Sequence, residues 1–484
     1  VSAADDAYAE AQRRIAEARE SGATQLGLSG NFQTKALTRI PPELSDLTNL
    51  TKFSLNSSLV TDLKPLASLT GLKQLQLYDV AATDLSPIAS IEGLTKLHLM
   101  KMPVTDLTPL AHLTALKALE IWDCEASDTS PLAALTSLKT LRLARTQVTD
   151  LRPIANLNGL TSLGLSNARM TDLSPIANLK ALTALHLFWA DVEDLGPIGN
   201  LSKLTSLTMD YSHVTDLKPL ADLTRLTHLN FGRTLVTDLS PISHLTALEQ
   251  LMLFETEVLD FAPLSNLTAL RELDLRGTKI LDLCPLIHLT KLGQLNLSKT
   301  HIADVRPLSQ MHLLYCLNLN DTSVFDLRPL IGLSGLAREG MFTGLQFERT
   351  AACEDRTIRQ LSTMSISNSE RTKRLFAYLQ DWVPPRVTRR RANAPAPVGM
   401  FTLKTARNPG NLLRSQTLMI PYQPHLKLLI FHTPPPVTRV RQVSGDHLKT
   451  VHIDHAVIGD FQVRDHRQAQ EGQLQERFLQ HHAQ

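Results

Sequence analysis

Residues 223–244 read Leu-Thr-Arg-Leu-Thr-His-Leu-Asn-Phe-Gly-Arg-Thr-Leu-Val-Thr-Asp-Leu-Ser-Pro-Ile-Ser-His, and the 22 residues that follow repeat the pattern. In this unit Asp238 stands three residues before Pro241. The same Asp-x-x-Pro pair occurs thirteen times at intervals of 22 residues, from Asp62 and Pro65 to Asp326 and Pro329. A fixed period of this length marks a stacked array, in which no unit buries its apolar face alone. An array without insertions offers few loops on which a catalytic site can be built.

Within the unit, a Leu-x-Leu core recurs as Leu75/Leu77, Leu97/Leu99, Leu141/Leu143, Leu185/Leu187, Leu251/Leu253, Leu273/Leu275 and Leu295/Leu297. Alternation over so few residues predicts a short strand with its leucines turned inward. Strands one unit apart stack in parallel at about 4.8 Å, so thirteen units make a face roughly 60 Å long. Around Pro219 the apolar positions are Val214, Leu217, Leu220, Leu223, Leu226, Leu229 and Phe231. Each large side chain contributes roughly 1.5–3 kcal/mol on burial, and conformational entropy cancels most of that gain within any single unit. The Asp-x-x-Pro element turns the chain onto the opposite side, the aspartate accepting backbone N–H groups and the proline fixing φ. Ser or Thr before the proline (Ser86, Thr108, Ser130, Ser174, Ser240) suggests an N-cap with proline at the first helical position. The few remaining residues allow only 3₁₀ or single-turn pieces.

This unit resembles the leucine-rich repeat family, in the 22-residue class of internalins and phosphatase regulatory subunits, over about Leu47 to Leu336. The resemblance implies an α/β solenoid: a leucine-rich repeat horseshoe with a parallel β-sheet on its concave face and short 3₁₀ turns on its convex face. Its Thr-x-Val/Ile-x-Asp-Leu-x-Pro form looks bacterial. The family's asparagine column is here mostly threonine (Thr146, Thr234, Thr256, Thr278, Thr300, Thr322), so hydroxyls are expected to replace part of the asparagine ladder.

Four regions follow: an N-terminal helical cap and irregular first repeat (1–46), the solenoid (47–336), a helical C-terminal cap (337–383) and a basic Pro/Arg/His-rich tail (384–484). In the cap, Tyr8, Ala11, Ile15 and Ala18 share one helical face, and Leu26-Gly27-Leu28 is an irregular first strand. Residues 22–50 also look like the start of repeat domains in bacterial Roc-type GTPases, but the chain has no phosphate-binding G-x-x-x-x-G-K-[ST] loop. The whole chain carries 49 Lys/Arg and 47 Asp/Glu, so nucleic acid is not indicated overall. The tail holds 14 Lys/Arg against 6 Asp/Glu, with Arg386, Arg389, Arg390 and Arg391 clustered, and its composition predicts disorder. Four cysteines show neither metal spacing nor a disulfide framework, which suits a reducing compartment. Cys124 and Cys284 are expected in the core. No signal peptide or membrane-length apolar run stands out, so the expected location is cytoplasmic, with an exported effector or secreted protein as the alternative.

The main functional signal is a set of aromatic and large side chains that strand parity aims outward: Tyr78, Met100, Trp122, Phe188 and Phe254, with Trp189 and Tyr211 one place further. The chain is only 5% aromatic, so aromatics placed in solvent have the composition of a binding surface. Glu120, Asp123, Arg142, Arg145, Asp210, Arg233, Glu255, Glu272, Asp274 and Arg276 supply a polar rim. The competing reading has these rings packing on one another or on the next repeat. The thirteen aspartates are turn residues rather than a cation ladder. His98 and His186, about 19 Å apart by strand spacing, do not share a metal. Cys353 and Asp355 resemble the Cys-x-Asp site of secreted bacterial ubiquitin ligases, which would make Cys353 a nucleophile and Asp355 its acid/base neighbour. Those effectors carry 20-residue repeats, and the stronger reading is a non-enzymatic, monomeric scaffold. It would bind a protein partner on its concave face without cofactor, metal, small-molecule substrate or membrane. An internalin-like adhesin is the third reading.

Overall fold

The computed structural model describes residues 3–29, 37–340 and 343–382, together with four short strands near the C-terminus. Fifteen strands, from β1 (Gln25–Ser29) to β15 (Gly344–Gln346), form one parallel sheet in strict sequence order. Equivalent leucines pair across every junction, as in Leu207↔Leu229↔Leu251↔Leu273. A slip of one residue would turn every leucine to the other face, so the alternation fixes the register. On the return side of each unit lies a 3₁₀ turn of three to five residues, as at Lys218–Leu220 and Ala262–Asn266. The chain is therefore a leucine-rich repeat solenoid. Val214, Leu217, Leu220, Leu223, Leu226, Leu229 and Phe231 are all sealed from solvent, and the same columns continue through the array as one core.

The turn is held by the aspartate. In all thirteen units Oδ1 accepts the backbone N–H two residues on, for example from Ser86 to Asp84 at 2.8 Å, Gly196 to Asp194 at 2.7 Å and Arg328 to Asp326 at 3.0 Å. The Ser or Thr before the proline does not cap. It is the first residue of the 3₁₀ turn, proline is the second, and the residue at the cap is usually the buried leucine (Leu85, Leu173, Leu239). Proline suits that second position because it has no N–H, and a donor there would find no partner within the turn. The hydrogen bonds to Ser86, Thr108, Ser130 and Ser174 hold the carboxyls of Asp84, Asp106, Asp128 and Asp172 below their ordinary range.

Two threonine columns divide the work expected of asparagine. Thr234, Thr256, Thr278, Thr300 and Thr322 each donate to the carbonyl three residues back at 2.6–2.8 Å, which closes the turn after the strand within its own unit. The bonds between units come from a different column. Thr161, Thr183, Thr205 and Thr227 each donate to the carbonyl one unit earlier, all at 3.0 Å. Cys124 lies in the core, but Cys284 is exposed, because it occupies the first position of a 3₁₀ turn on the outer surface.

At the N-terminus α1 (Ala3–Ser21) lays Ala11, Ile15 and Ala18 on the first repeat, with Tyr8 half-buried under the Arg39 guanidinium. At the other end α2 (Arg356–Ser362) and α3 (Asn368–Gln380) cover the last strand. Contacts divide the chain at Pro384. In the C-terminal unit the described strands form two antiparallel pairs, Val398–Leu403 with Gln416–Pro421 and Val440–Gln442 with Val451–Ile453, where no strand pattern was read from sequence. The expectation of disorder for 384–484 otherwise falls outside the described residues.

Candidate protein-binding surface

Two adjacent columns on the sheet side carry the outward side chains. The first follows the second strand leucine and places Tyr78, Met100 and Trp122 on consecutive strands. Phe188, Asp210, Gly232, Phe254 and Arg276 occupy the same column in later units. The second column is one residue further, where the chain leaves the strand in the left-handed conformation. Ser57, Asp79, Lys101, Asp123, Arg145, Asn167, Trp189, Tyr211, Arg233, Glu255, Lys299 and Asp321 all have φ between 49 and 61°. Gly277 suits that region best, and Asn167, Asp79, Asp123 and Asp321 tolerate it better than the other side chains of the column. An L-residue there costs roughly 1–2 kcal/mol. The column persists because its N–H groups continue the sheet ladder: Trp189 donates to the Asp210 carbonyl at 3.0 Å, Tyr211 to Gly232 at 2.9 Å and Arg233 to Phe254 at 2.8 Å.

These two columns bring four rings together. Trp189 and Tyr211, on consecutive left-handed turns, stack at 4.4 Å with their planes 10° apart. Phe188 stands edge-on to Tyr211 at 5.4 Å and to Trp189 at 6.1 Å, and Phe254 meets Tyr211 at 6.1 Å. Phe254 reaches across its neighbouring strand because residue 232 is glycine; a Cβ there would collide with the ring. Arg233 lies over Tyr211 at 5.2 Å and Arg276 over Phe254 at 4.7 Å, so two ring faces already hold cations. Arg233 also pairs with Glu255 at 2.5 Å.

Exposure separates the predicted residues. Phe188 at 38% and Trp189 at 49% face solvent, whereas Tyr78, Met100, Trp122, Tyr211 and Phe254 are half-buried by their neighbours. Tyr78 and Trp122 lie beside Lys101 and Arg145 and stand apart from the four-ring cluster. Glu120 bridges Arg142 at 3.3 Å and His98 at 3.5 Å across three strands. His186 contacts Thr208 at 3.1 Å, and burial, with the charge of Arg142, pushes its pKa down.

Asp210 is not a rim residue. It is only 6% exposed, and its Oδ1 accepts the Gly232 N–H at 2.8 Å. Burial raises its pKa to about 6 against the effect of that hydrogen bond, and among the described residues it forms no ion pair. Sequence parity could not show this, because parity places Asp210 outward and says nothing of its cover. Asp274 is half-buried too; burial pushes its carboxyl up while its Oδ1 accepts the Arg276 N–H at 2.9 Å.

Cys353 and Asp355 are structural. The Cys353 thiol is buried and donates to the Phe347 carbonyl at 3.3 Å. Asp355 caps α2 by accepting Thr357 and Ile358 N–H groups at 2.8 and 3.0 Å, and takes Tyr378 Oη and Trp382 Nε1 at 3.0 and 3.1 Å. Burial pushes its carboxyl up, yet these four bonds together outweigh it and leave the pKa lowered. A carboxylate so committed is a clasp between helices rather than an acid/base group. Among the described residues no group of three or more His, Cys, Asp or Glu could hold a metal, and no helix is long and apolar enough to cross a membrane.

No protein-family model and no curated protein matches the chain. Solved structures do. An internalin, InlF, of Listeria monocytogenes is 31% identical over 65% of this chain and 93% of its own length, with a TM-score of 0.58. The chain belongs to the internalin family of leucine-rich repeat proteins. A leucine-rich repeat protein of Leptospira interrogans shares the fold at 22% identity, covering 71% of this chain and 96% of that one with a TM-score of 0.62. Leucine-rich repeat proteins of this family are typically protein-binding, non-enzymatic scaffolds.

Proposed function

We propose that this internalin-family protein binds a protein partner on the sheet side of its solenoid, with the cluster of Phe188, Trp189, Tyr211 and Phe254 as the energetic centre. The observation that carries the reading is the exposure of Phe188 and Trp189 in a ring cluster whose other two members, Tyr211 and Phe254, are half-buried. Large aromatic side chains of this kind supply most of the energy at protein interfaces, inside a rim of polar groups. Here the rim comprises Glu120, Arg142, Arg145, Asp274 and Arg276, with Tyr78, Met100 and Trp122 extending the contact toward the N-terminus. A sheet of fifteen strands gains little freedom to lose, so the ordering cost of association stays small.

A photo-crosslinking residue at Phe188, compared with one at the exposed turn residue Lys218, tests this in lysate of the native host. Discrete protein adducts are expected from position 188 and not from 218. Equal labelling from the two positions would overturn the assignment of the sheet side.

A further inference from the structure

The surface described above carries a carboxyl group that has no counter-charge among the described residues. Asp210 is flanked in its column by Phe188 on one side and by Gly232, over which the Phe254 ring lies, on the other. Among the described residues its carboxyl accepts backbone N–H groups alone, those of Gly232 and of Asp210 itself, and the charge that acts on it is another carboxylate, Asp274. On the neighbouring strand the buried Oδ1 of Asn230 has no hydrogen-bond donor among the described residues. A buried carboxylate held by backbone N–H groups alone, beside a buried carbonyl oxygen with no donor, is costly unless something supplies further N–H groups. The rings around them are of the type that holds cations, as Arg233 over Tyr211 and Arg276 over Phe254 show. The two rings with no cation over them, Phe188 and Trp189, are the two exposed ones.

Resting on the binding surface proposed above, we propose that this cluster seats a lysine or arginine side chain of the protein partner, with Phe188 and Trp189 holding the cation and Asp210 its counter-charge. Acceptor oxygens, open ring faces and an unpaired acid all ask for one chemistry, a cation bearing N–H donors. A neutral apolar anchor would leave Asp210 and Asn230 as they are. An acidic anchor would face Asp210 and Asp274.

The test pans a displayed random-peptide library against the immobilised full chain, with counter-selection on Trp189→Ala. Enriched peptides are expected to share a lysine or arginine, and replacing that residue with glutamine should weaken binding at least tenfold. Asp210→Asn, which keeps the side-chain shape, should weaken the same peptides about tenfold, while Asp191→Asn, one unit away and exposed, should leave them unchanged. Circular dichroism confirms that each variant folds. Peptides that need Trp189 but carry no shared basic residue, or that bind Asp210→Asn as tightly as the native chain, overturn the cation seat and leave the surface standing. If no enriched peptide depends on Trp189, both readings fall.

Discussion

Replacing Asp210 with asparagine isolates the cost of keeping a buried acid on the sheet surface. Asparagine retains the Oδ1 that accepts the Gly232 N–H, so shape and hydrogen bond persist and only the ionisable proton is lost. The native carboxyl titrates at about 6 in place of 3.8 because burial strips its hydration. A rise of that size corresponds to about 3 kcal/mol of destabilisation once the group is ionised. The sign follows from linkage. Below pH 3.8 the acid is protonated in both folded and unfolded chains, and the burial penalty is absent. As pH climbs from there toward 6, the unfolded chain ionises first and native stability falls; above about 6 the loss is complete. Asp210→Asn should therefore match the native protein near pH 3.5 and exceed it by about 3 kcal/mol at pH 8. Asp274, the other raised carboxyl nearby, is common to both proteins and cancels in the comparison. Urea midpoints followed by far-ultraviolet circular dichroism at a series of pH values would measure the difference. Equal midpoints at pH 8, or a gap that does not change with pH, would refute the reasoning.

Other expectations concern the frame. Gly277→Ala should cost about 1–2 kcal/mol, since the residue has φ of 68° and a Cβ would sit 2.8 Å from Cγ of Glu255; Lys299→Gly, at the same column, should gain about 0.5–1 kcal/mol in the same urea assay. Asp355→Ala should loosen the C-terminal cap by about 2–4 kcal/mol, read as faster proteolysis within α2 and α3 with the repeats still protected, because it removes a helix cap and two inter-helix bonds at once. The depressed turn carboxyls act oppositely to Asp210: their contribution is present above their ordinary pKa of 3.8 and lost as pH falls further. Asp210→Asn protein should accordingly lose stability as pH falls below about 4, and as pH rises from 4 to 6 it should decline less than the native chain, the remaining decline coming from the raised carboxyl of Asp274.

What the sequence made legible was whatever repeats with the same residue type. Leucine columns, the Asp-x-x-Pro turn and strand parity gave the solenoid, because each depends on a side chain's hydrophobicity or a fixed local bond. The left-handed column is not legible because it has no single residue signature: tryptophan, tyrosine, arginine, glutamate, aspartate, asparagine and one glycine share it, and the ladder bond to the next unit is what holds it. The threonines that tie units together are hidden for a different reason. Thr161, Thr183, Thr205 and Thr227 sit outside the family's asparagine column, on which attention falls. The candidate site was half visible. Its aromatic residues stood out by parity, but their stacking comes from side chains 22 or 44 residues apart, whose reach depends on neighbours such as Gly232. Asp355 likewise read as chemistry in a short motif, and only Tyr378 and Trp382, distant in sequence, reveal it as a clasp.

The aspartate clamp inside each turn is a bond from a unit to itself, so its geometry does not depend on which unit precedes or follows. Gene copies of such units can therefore be lost or duplicated by unequal crossing-over, and every new junction inherits the same fit. The array lengthens or shortens in whole steps. Such changes leave the turn clamp of every remaining unit intact, but a step taken between residues 190 and 253 would pull apart rings that now touch, so the molecule's evolutionary freedom ends where its working surface begins.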